Sequence, residues 1–244
     1  MHESNCFITL TYDDNSIPEN GQLHRPHLQN FIKRLRKRVP PLRLFYCGEY
    51  GDETERPHYH ALLFGYRPND GEQLSSGENP IFESPSMTKT WGHGLTSFGE
   101  LTFESAAYVA RYCTKKITGP MAEEHYTRTN PDTGEVYQLI PPFNGMSLKP
   151  GIGTTWLEKY GPDAYAKDEV ILRGRSMKPP RAYDKLFEGI DPHQYLQNRI
   201  KRGLTNAQHL PRNRDPNEHY KGSYNHYKAR VKIAEQKLQE RKKC

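Results

Sequence analysis

Hydrophobic and polar positions alternate in three early segments of the chain, and aromatic and β-branched residues are frequent in them. This pattern predicts strands over residues 6–12, 42–50 and 58–66. The polar residues 51–57 between the last two have the composition of a turn, so these two strands are expected to form a hairpin. A further strand, with a glycine interruption, is predicted over residues 95–103.

Two segments instead repeat their apolar residues at helical spacing. Residues 25–39 predict an amphipathic helix with a basic opposite face. Residues 105–117 predict a second helix with Ser105 as its N-cap, and residues 87–94 a short one. Residues 67–86 are polar and rich in Gly, Ser and Pro, and we expect a long loop there.

The order β, α, β, β, then β, α predicts an α+β fold with an antiparallel central sheet and helices on one face. Periodicity weakens after Gly119, which predicts an irregular C-terminal extension. We expect a core domain over 1–120, an extension packed on it over 121–190 and a basic tail over 191–244. A charged helix is predicted over 223–244.

Positive charge is concentrated at the C-terminal end. The 244 residues carry 35 Lys+Arg and 29 Asp+Glu, but residues 190–244 alone carry 13 against 5. Such an end suits a polyanion, and a solvated basic tail is an equally good interpretation. The polar face of the first helix is also basic, and Arg34, Lys37 and Arg38 are candidate DNA-backbone contacts there. A solvated face is again the alternative.

Other features bear on the compartment. No apolar run approaches the roughly 18 residues of a membrane span. Four cysteines without a CxxC pair favour reduced thiols in a cytoplasmic protein.

His58 and His60 flank Tyr59 in the third predicted strand. Alternate side chains of a strand share a face, so both imidazoles point one way and Tyr59 points the other. If the hairpin forms, Glu49 lies beside His58, and two imidazoles converge with one carboxylate. Three protein ligands with open positions suit a catalytic divalent metal. A half-buried strand whose histidines bind nothing is the competing interpretation.

Tyr108 and Tyr112 stand four residues apart in the second predicted helix, so they share a face at about 6 Å between Cβ atoms. Lys115 extends that face and Lys116 adjoins it. A core helix with aromatic residues is the simpler interpretation, although a core stripe does not usually continue into lysine. A tyrosine hydroxyl, with an ordinary pKa of about 10, needs nearby positive charge to act as a nucleophile.

The order of these motifs resembles a known family. FITLTY, GE, HYH and YVARYCTKK follow one another as in the HUH endonuclease superfamily of rolling-circle replication initiators. The flanking blocks LTYDD, FIKRLRKR, YCGEYG, RPHYHALLFG, WGHG, MSLKPGIG and KPPRAYD are similar to those of gokushovirus-type microvirus initiators. The resemblance covers about residues 6–190. It leads us to expect a leader segment ahead of the first strand motif, which here begins near residue 6.

The resemblance implies an HUH endonuclease or RRM-like sandwich fold and specific roles for the matching residues. Thr9 and Thr11 mark the first motif without an assigned role. The implied site residues are His58, His60 and Glu49 as metal ligands, Tyr108 and Tyr112 as nucleophiles, Lys115 as a positioning or acid/base group, and Lys116 as a phosphate contact.

The implied activity is a replication initiator that nicks single-stranded DNA at the phage origin with the help of Mg²⁺ or Mn²⁺. A tyrosine would form a 5′-phosphotyrosine, leave a free 3′-OH, and later allow the strand to be rejoined. The implied partners are single-stranded origin DNA and the helicase and DNA polymerase of the bacterial host, in whose cytoplasm the protein would act.

Other functions remain open at this point. A non-catalytic single-stranded nucleic-acid-binding module would bind DNA without needing metal or tyrosine. A metallohydrolase would need the metal but form no protein–DNA adduct. A plasmid relaxase or a transposase of the same superfamily would share the chemistry.

Overall fold

The fold is seen in a computed structural model, which describes residues 1–39, 41–131, 133–208, 229, 232–233 and 235–236. The chain divides into two compact units, Met1–Ile152 and Gly153–Cys244. The three-part division at residues 120 and 190 stays a prediction. Most of the charged helix predicted over 223–244 lies outside the described residues.

Short strands and helices alternate through the first unit. The strands are β1 (Asn5–Thr11), β2 (Arg43–Tyr50), β3 (Pro57–Phe64), β4 (Glu72–Ser75), β5 (Ile81–Glu83), β6 (Thr96–Gly99), β7 (Thr127–Thr129), β8 (Val136–Gln138) and β9 (Phe143–Met146). The helices are a 3₁₀ turn (Glu19–Gly21), α1 (Arg25–Arg38), α2 (Pro85–Trp91), α3 (Phe103–Lys115) and α4 (Met121–Tyr126).

Seven strands form one antiparallel sheet in the order β4-β5-β6-β1-β3-β2-β9. β3 lies between β1 and β2, and the predicted hairpin joins β2 to β3. β7 and β8 form a separate two-stranded sheet. The predicted α+β class with an antiparallel central sheet is confirmed.

The helices lie on both faces of this sheet, which differs from the single face that we expected. α1 and α2 bury Leu28, Phe31 and Trp91 against one face. α3 packs on the other face, where Val109 and Tyr112 contact apolar residues of β2 and β3. The physical reason is that both faces of the central strand carry apolar side chains, and each face must be covered.

Two other expectations need correction. β4, β5 and the start of α2 occupy the segment 67–86 that we expected to be a loop, and its polar pattern hid them because β4 is exposed throughout. Ser105 is not the N-cap of α3. Thr102 is the cap, and its hydroxyl accepts from the Ser105 amide while Ser105 Oγ accepts from the Thr102 amide, a reciprocal capping box.

The second unit is largely helical rather than irregular as far as Gln208. It contains α5 (Thr154–Lys167), the hairpin of β10 (Val170–Leu172) and β11 (Arg175–Met177), α6 (Arg181–Ile190) and α7 (Pro192–Gln208). Tyr165 and Phe187 stack at 3.9 Å between ring centroids in its core. The periodicity was weak because Pro162 lies inside α5. Among the described helices, none has the length and apolar character of a membrane span.

Candidate metal and nucleophile site

The β2–β3 hairpin brings Glu49 and the two histidines together. In its register Glu49 is the direct partner of His58, as the sequence predicts. The turn is held by backbone hydrogen bonds from Glu55 to Gly51 and from Gly51 to Arg56. The Arg56 guanidinium also donates to the Tyr12 carbonyl at 2.8 Å. The end of the hairpin that carries Glu49 and His58 is therefore tied to the strand beside it.

Both imidazoles face the same carboxylate oxygen. Oε1 of Glu49 lies 2.9 Å from Nε2 of His58 and 3.1 Å from Nε2 of His60. Within the described residues, these three form the group of His, Cys, Asp or Glu side chains whose ligand atoms all lie within 4.8 Å of one another. Glu49 and His60 are each 4% exposed, so the predicted ligands meet in a buried site.

The other ring nitrogens are held from behind. Nδ1 of His58 lies 3.0 Å from the Arg56 carbonyl oxygen, and Nδ1 of His60 lies 3.0 Å from Oγ1 of Thr9. Such contacts fix ring orientation and are typical of histidines that bind metals through the opposite nitrogen. With the proton on Nδ1, each Nε2 offers a lone pair. Two nitrogens and one carboxylate oxygen therefore fit a divalent metal such as Mn²⁺.

The pKa values follow from burial and from the shared carboxylate. Burial would raise the pKa of Glu49, but hydrogen bonds with His58, His60 and Tyr112 outweigh it and hold this pKa at about 2. Burial lowers the pKa of His60. It also acts to lower that of His58, where the hydrogen bonds to Glu49 and to the Arg56 carbonyl prevail and raise it. The site thus holds a permanently charged carboxylate between the two rings.

Tyr59, between the two histidines, points to the opposite face as expected. Its ring is fully buried, and its hydroxyl lies 2.8 Å from the Tyr12 hydroxyl. The same hydroxyl accepts from the His24 amide and donates to the His24 carbonyl. Tyr59 therefore anchors the centre of β3 in the core while its neighbours face the site.

Tyr108 and Tyr112 lie above the histidines. The Tyr112 ring stacks on His60 at 5.4 Å between centroids, and the Tyr108 ring meets His60 edge-on at 5.3 Å. The two tyrosine rings are 5.0 Å apart. Their exposure differs, since Tyr108 is 42% exposed and Tyr112 only 8%. Burial, together with hydrogen bonds to Tyr108 and Glu49, raises the pKa of Tyr112.

The structure does not bring all predicted residues to this site. Lys116 is exposed at the C-cap of α3, while the Lys115 side chain lies outside the described part of the structure. Arg34, Lys37 and Arg38 belong to α1, on the opposite face of the sheet. Arg34 donates to the carbonyls of Thr90 and Trp91 at 2.8 and 3.0 Å. Arg38 donates to the Thr90 hydroxyl at 2.9 Å. These two arginines therefore join α1 to α2.

Sequence reasoning left Thr9 without a role. Its contact with His60 follows from the β1–β3 register, in which the two residues are direct partners. Alternation along β1 was the available signal, because Thr9 shares a face with His60 once the two strands pair. The buried position of Tyr112 against Glu49 carried no such signal, since it depends on where α3 crosses the sheet.

Comparison with known proteins supports the resemblance stated above. Residues 5–117 match the family model of the replication-associated protein ORF2. The replication-associated protein VP4 of Bdellovibrio phage phiMH2K is 32% identical over 210 residues, which cover 81% of this chain and 62% of that protein. The replication-associated protein ORF2 of Spiroplasma virus 4 is 30% identical over 200 residues, covering 75% and 58%.

A shorter match is the replication-associated protein ORF4 of Chlamydia phage 1, 34% identical over 127 residues, covering 48% of this chain and 32% of that protein. This chain thus spans about three-fifths of the length of the first two relatives. No solved structure matches it.

Proposed function

Because residues 5–117 belong to the family of the replication-associated protein ORF2, we propose that this chain is a phage replication initiator that nicks and rejoins single-stranded DNA through its tyrosines. The observation that carries the proposal is the convergence on one sheet face of a Glu49–His58–His60 group with the rings of Tyr108 and Tyr112. A metal-ligand group and two hydroxyl nucleophiles at one place are the parts that phosphoryl transfer to a side chain requires.

The metal would be held by Glu49 Oε1 and by Nε2 of His58 and His60. A bound Mg²⁺ or Mn²⁺ supplies a Lewis acid that polarises the phosphoryl oxygens and neutralises the charge that develops on them. The protein's contribution is orientation, because the Thr9 and Arg56 contacts hold both rings in the ligating direction.

In the nicking step, a tyrosine oxygen bonds to the phosphorus and the bond from phosphorus to the 3′ oxygen breaks. The phenol proton is given up and the departing oxygen gains one, so the products are a 5′-phosphotyrosine and a free 3′-OH. Lys115, next along the helix face, remains the predicted acid/base group. The phosphotyrosine conserves the phosphodiester bond energy, so rejoining needs no nucleotide cofactor.

We assign the first attack to Tyr108. It is 42% exposed, so a DNA strand can approach its hydroxyl, whereas Tyr112 is 8% exposed and bonded to Glu49. The raised pKa of Tyr112 makes its ionisation more costly in this state. Tyr112 would act in the second cut, after one round of copying. The released 3′-OH then attacks the first phosphotyrosine and closes a circle.

The partners follow from this chemistry. The host polymerase would extend the 3′-OH, and a host helicase would unwind the duplex, since the sequence has no GxxxxGK[ST] nucleotide-binding loop. Phage replication proteins act inside the host cell, which is where these partners are found.

The test is adduct formation on a random single-stranded DNA library, labelled at the 3′ end in one sample and at the 5′ end in another. With Mn²⁺, the wild-type chain is expected to give a 3′-labelled covalent adduct on a denaturing gel. The 5′-labelled product should be protein-free and extensible by a polymerase. Sequencing the adducts would reveal the preferred site. EDTA and the double variant Tyr108→Phe/Tyr112→Phe should abolish the adduct.

The single variants test the order of attack. Tyr112→Phe should keep the first adduct and Tyr108→Phe should lose it. Cleavage without an adduct would replace the proposal with a water-activating hydrolase. DNA binding that gives neither cleavage nor adduct, and is indifferent to EDTA, would replace it with a non-catalytic binding module.

A further inference from the structure

A cleft of about 220 Å³ adjoins the candidate site, and Glu49 and Tyr112 form part of its wall. The β2–β3 turn supplies Asp52 and Glu55, and the segment from α4 onwards supplies His125, Tyr126 and Arg128. We infer that this cleft binds a nucleobase of the DNA strand next to the phosphate that is cut. The inference rests on the proposed function and adds a base-recognition site to it.

Aromatic rings form a stacking surface in the cleft. Tyr126 is 5% exposed, and its hydroxyl accepts from the Ile117 amide at 3.1 Å, which fixes the ring. The exposed His125 ring meets Tyr126 edge-on at 4.7 Å. The Tyr50 hydroxyl is likewise engaged, since it donates to the Ile140 carbonyl. Pre-positioned rings beside a DNA strand stack bases at little entropic cost.

The charges of the cleft favour a base over a phosphate. Glu49, Asp52 and Glu55 contribute three carboxylates, and Arg128 is the basic side chain among the lining residues. Its guanidinium lies 3.3 Å from Glu55 Oε1 and donates to the His125 carbonyl at 2.7 Å. A phosphate would meet this negative field at a cost. Carboxylates instead accept hydrogen bonds from exocyclic amino groups, as on cytosine.

The position of the cleft connects it with the chemistry. Because Glu49 and Tyr112 belong to both the cleft and the candidate site, a base in the cleft brings its own backbone to the reacting groups. Much of the wall lies beyond residue 117, the last residue matched by the family model. This segment is therefore where the chain's own base preference is built.

The experiment measures binding without cleavage. Fluorescence anisotropy in EDTA compares oligo-dC, oligo-dT and an abasic oligonucleotide of equal length. The variant is His125→Ala, and the matched control is Glu123→Ala, an exposed residue of the same short helix that does not line the cleft. Thermal melting of each variant checks folding.

The expected result is that the wild type binds oligo-dC more tightly than oligo-dT or the abasic strand. His125→Ala should weaken oligo-dC binding about tenfold and leave abasic binding unchanged. Equal losses on both strands would identify a backbone contact and overturn the inference. No loss on either strand, or a loss as large in Glu123→Ala, would overturn it too.

These outcomes are separable from failure of the proposed function. An adduct in the nicking assay together with unchanged oligo-dC binding by His125→Ala would refute the base site and leave nicking intact. Base-dependent binding that His125→Ala removes, without any adduct from the wild type, would keep the base site and refute nicking.

Discussion

Thr9 Oγ1 lies 3.0 Å from Nδ1 of His60 and connects β1 with the candidate metal ligands. The contact occupies one nitrogen of the ring and leaves Nε2 directed at Glu49. An imidazole held in this way loses less rotational freedom when it binds a metal. Thr9 is thus a positioning residue for the site.

Replacing Thr9 with valine removes the hydroxyl and keeps the branched shape. We expect Thr9→Val to weaken Mn²⁺ binding about tenfold, because contacts of this kind typically contribute roughly 10- to 100-fold to metal affinity. Isothermal titration calorimetry would measure the change. Thr11→Val is the matched control, since Thr11 lies on the same strand and face but opposite His58. Equal losses in the two variants would remove the special role of Thr9.

Metal binding should depend on pH through His58. Its pKa is raised by Glu49 and by the Arg56 carbonyl, and the protonated ring cannot be a ligand. Below that pKa we expect Mn²⁺ affinity to fall about tenfold per pH unit, and above it to level off. Calorimetry over about pH 5.5 to 8.5 covers the range in which histidine titrates.

Glu49→Gln serves as the comparison for this pH dependence. It removes the carboxylate that raises the His58 pKa, so the fall in affinity should begin at a lower pH while the affinity itself decreases. Glu53→Gln, an exposed residue of the adjoining turn, should change neither quantity. A pH dependence that stays the same in Glu49→Gln would show that another group controls it.

The two tyrosines should differ in their effect on stability. Tyr112→Phe leaves Glu49 without one hydrogen-bond donor in a buried site, and we expect a loss of about 1 kcal/mol in the free energy of unfolding. Tyr108→Phe affects a side chain that is 42% exposed and should change it by less than about 0.5 kcal/mol. Urea denaturation would measure both, and a larger loss in Tyr108→Phe would contradict the burial difference.

Arg34 should act mainly on the fold. Its guanidinium donates to two carbonyls at the end of α2, so Arg34→Ala is expected to lower the free energy of unfolding by about 1.5 kcal/mol. Lys37→Ala, from the exposed face of the same helix, should change it by less than about 0.5 kcal/mol. If urea denaturation finds the two variants alike, the Arg34 contacts are not stabilising.

Local pattern accounts for much of the fold and of the candidate site. Alternation in β3 puts His58 and His60 on one face and Tyr59 on the other, and helical spacing puts Tyr108 beside Tyr112. The hairpin turn brings Glu49 to His58 over a short stretch of chain. These relations depend on backbone geometry within a few residues, so the sequence contains them directly.

Tertiary structure alone decided the rest. The sequence showed an amphipathic α3, but which sheet face it covers depends on how the whole sheet is closed by α1 and α2. Thr9 and His60 are 51 residues apart, and Arg34 and Thr90 are 56 apart. Contacts at such separations arise from strand order and helix packing, which no local pattern specifies. The sequence by itself thus determined the chemical groups and their local spacing, and packing decided which of them meet.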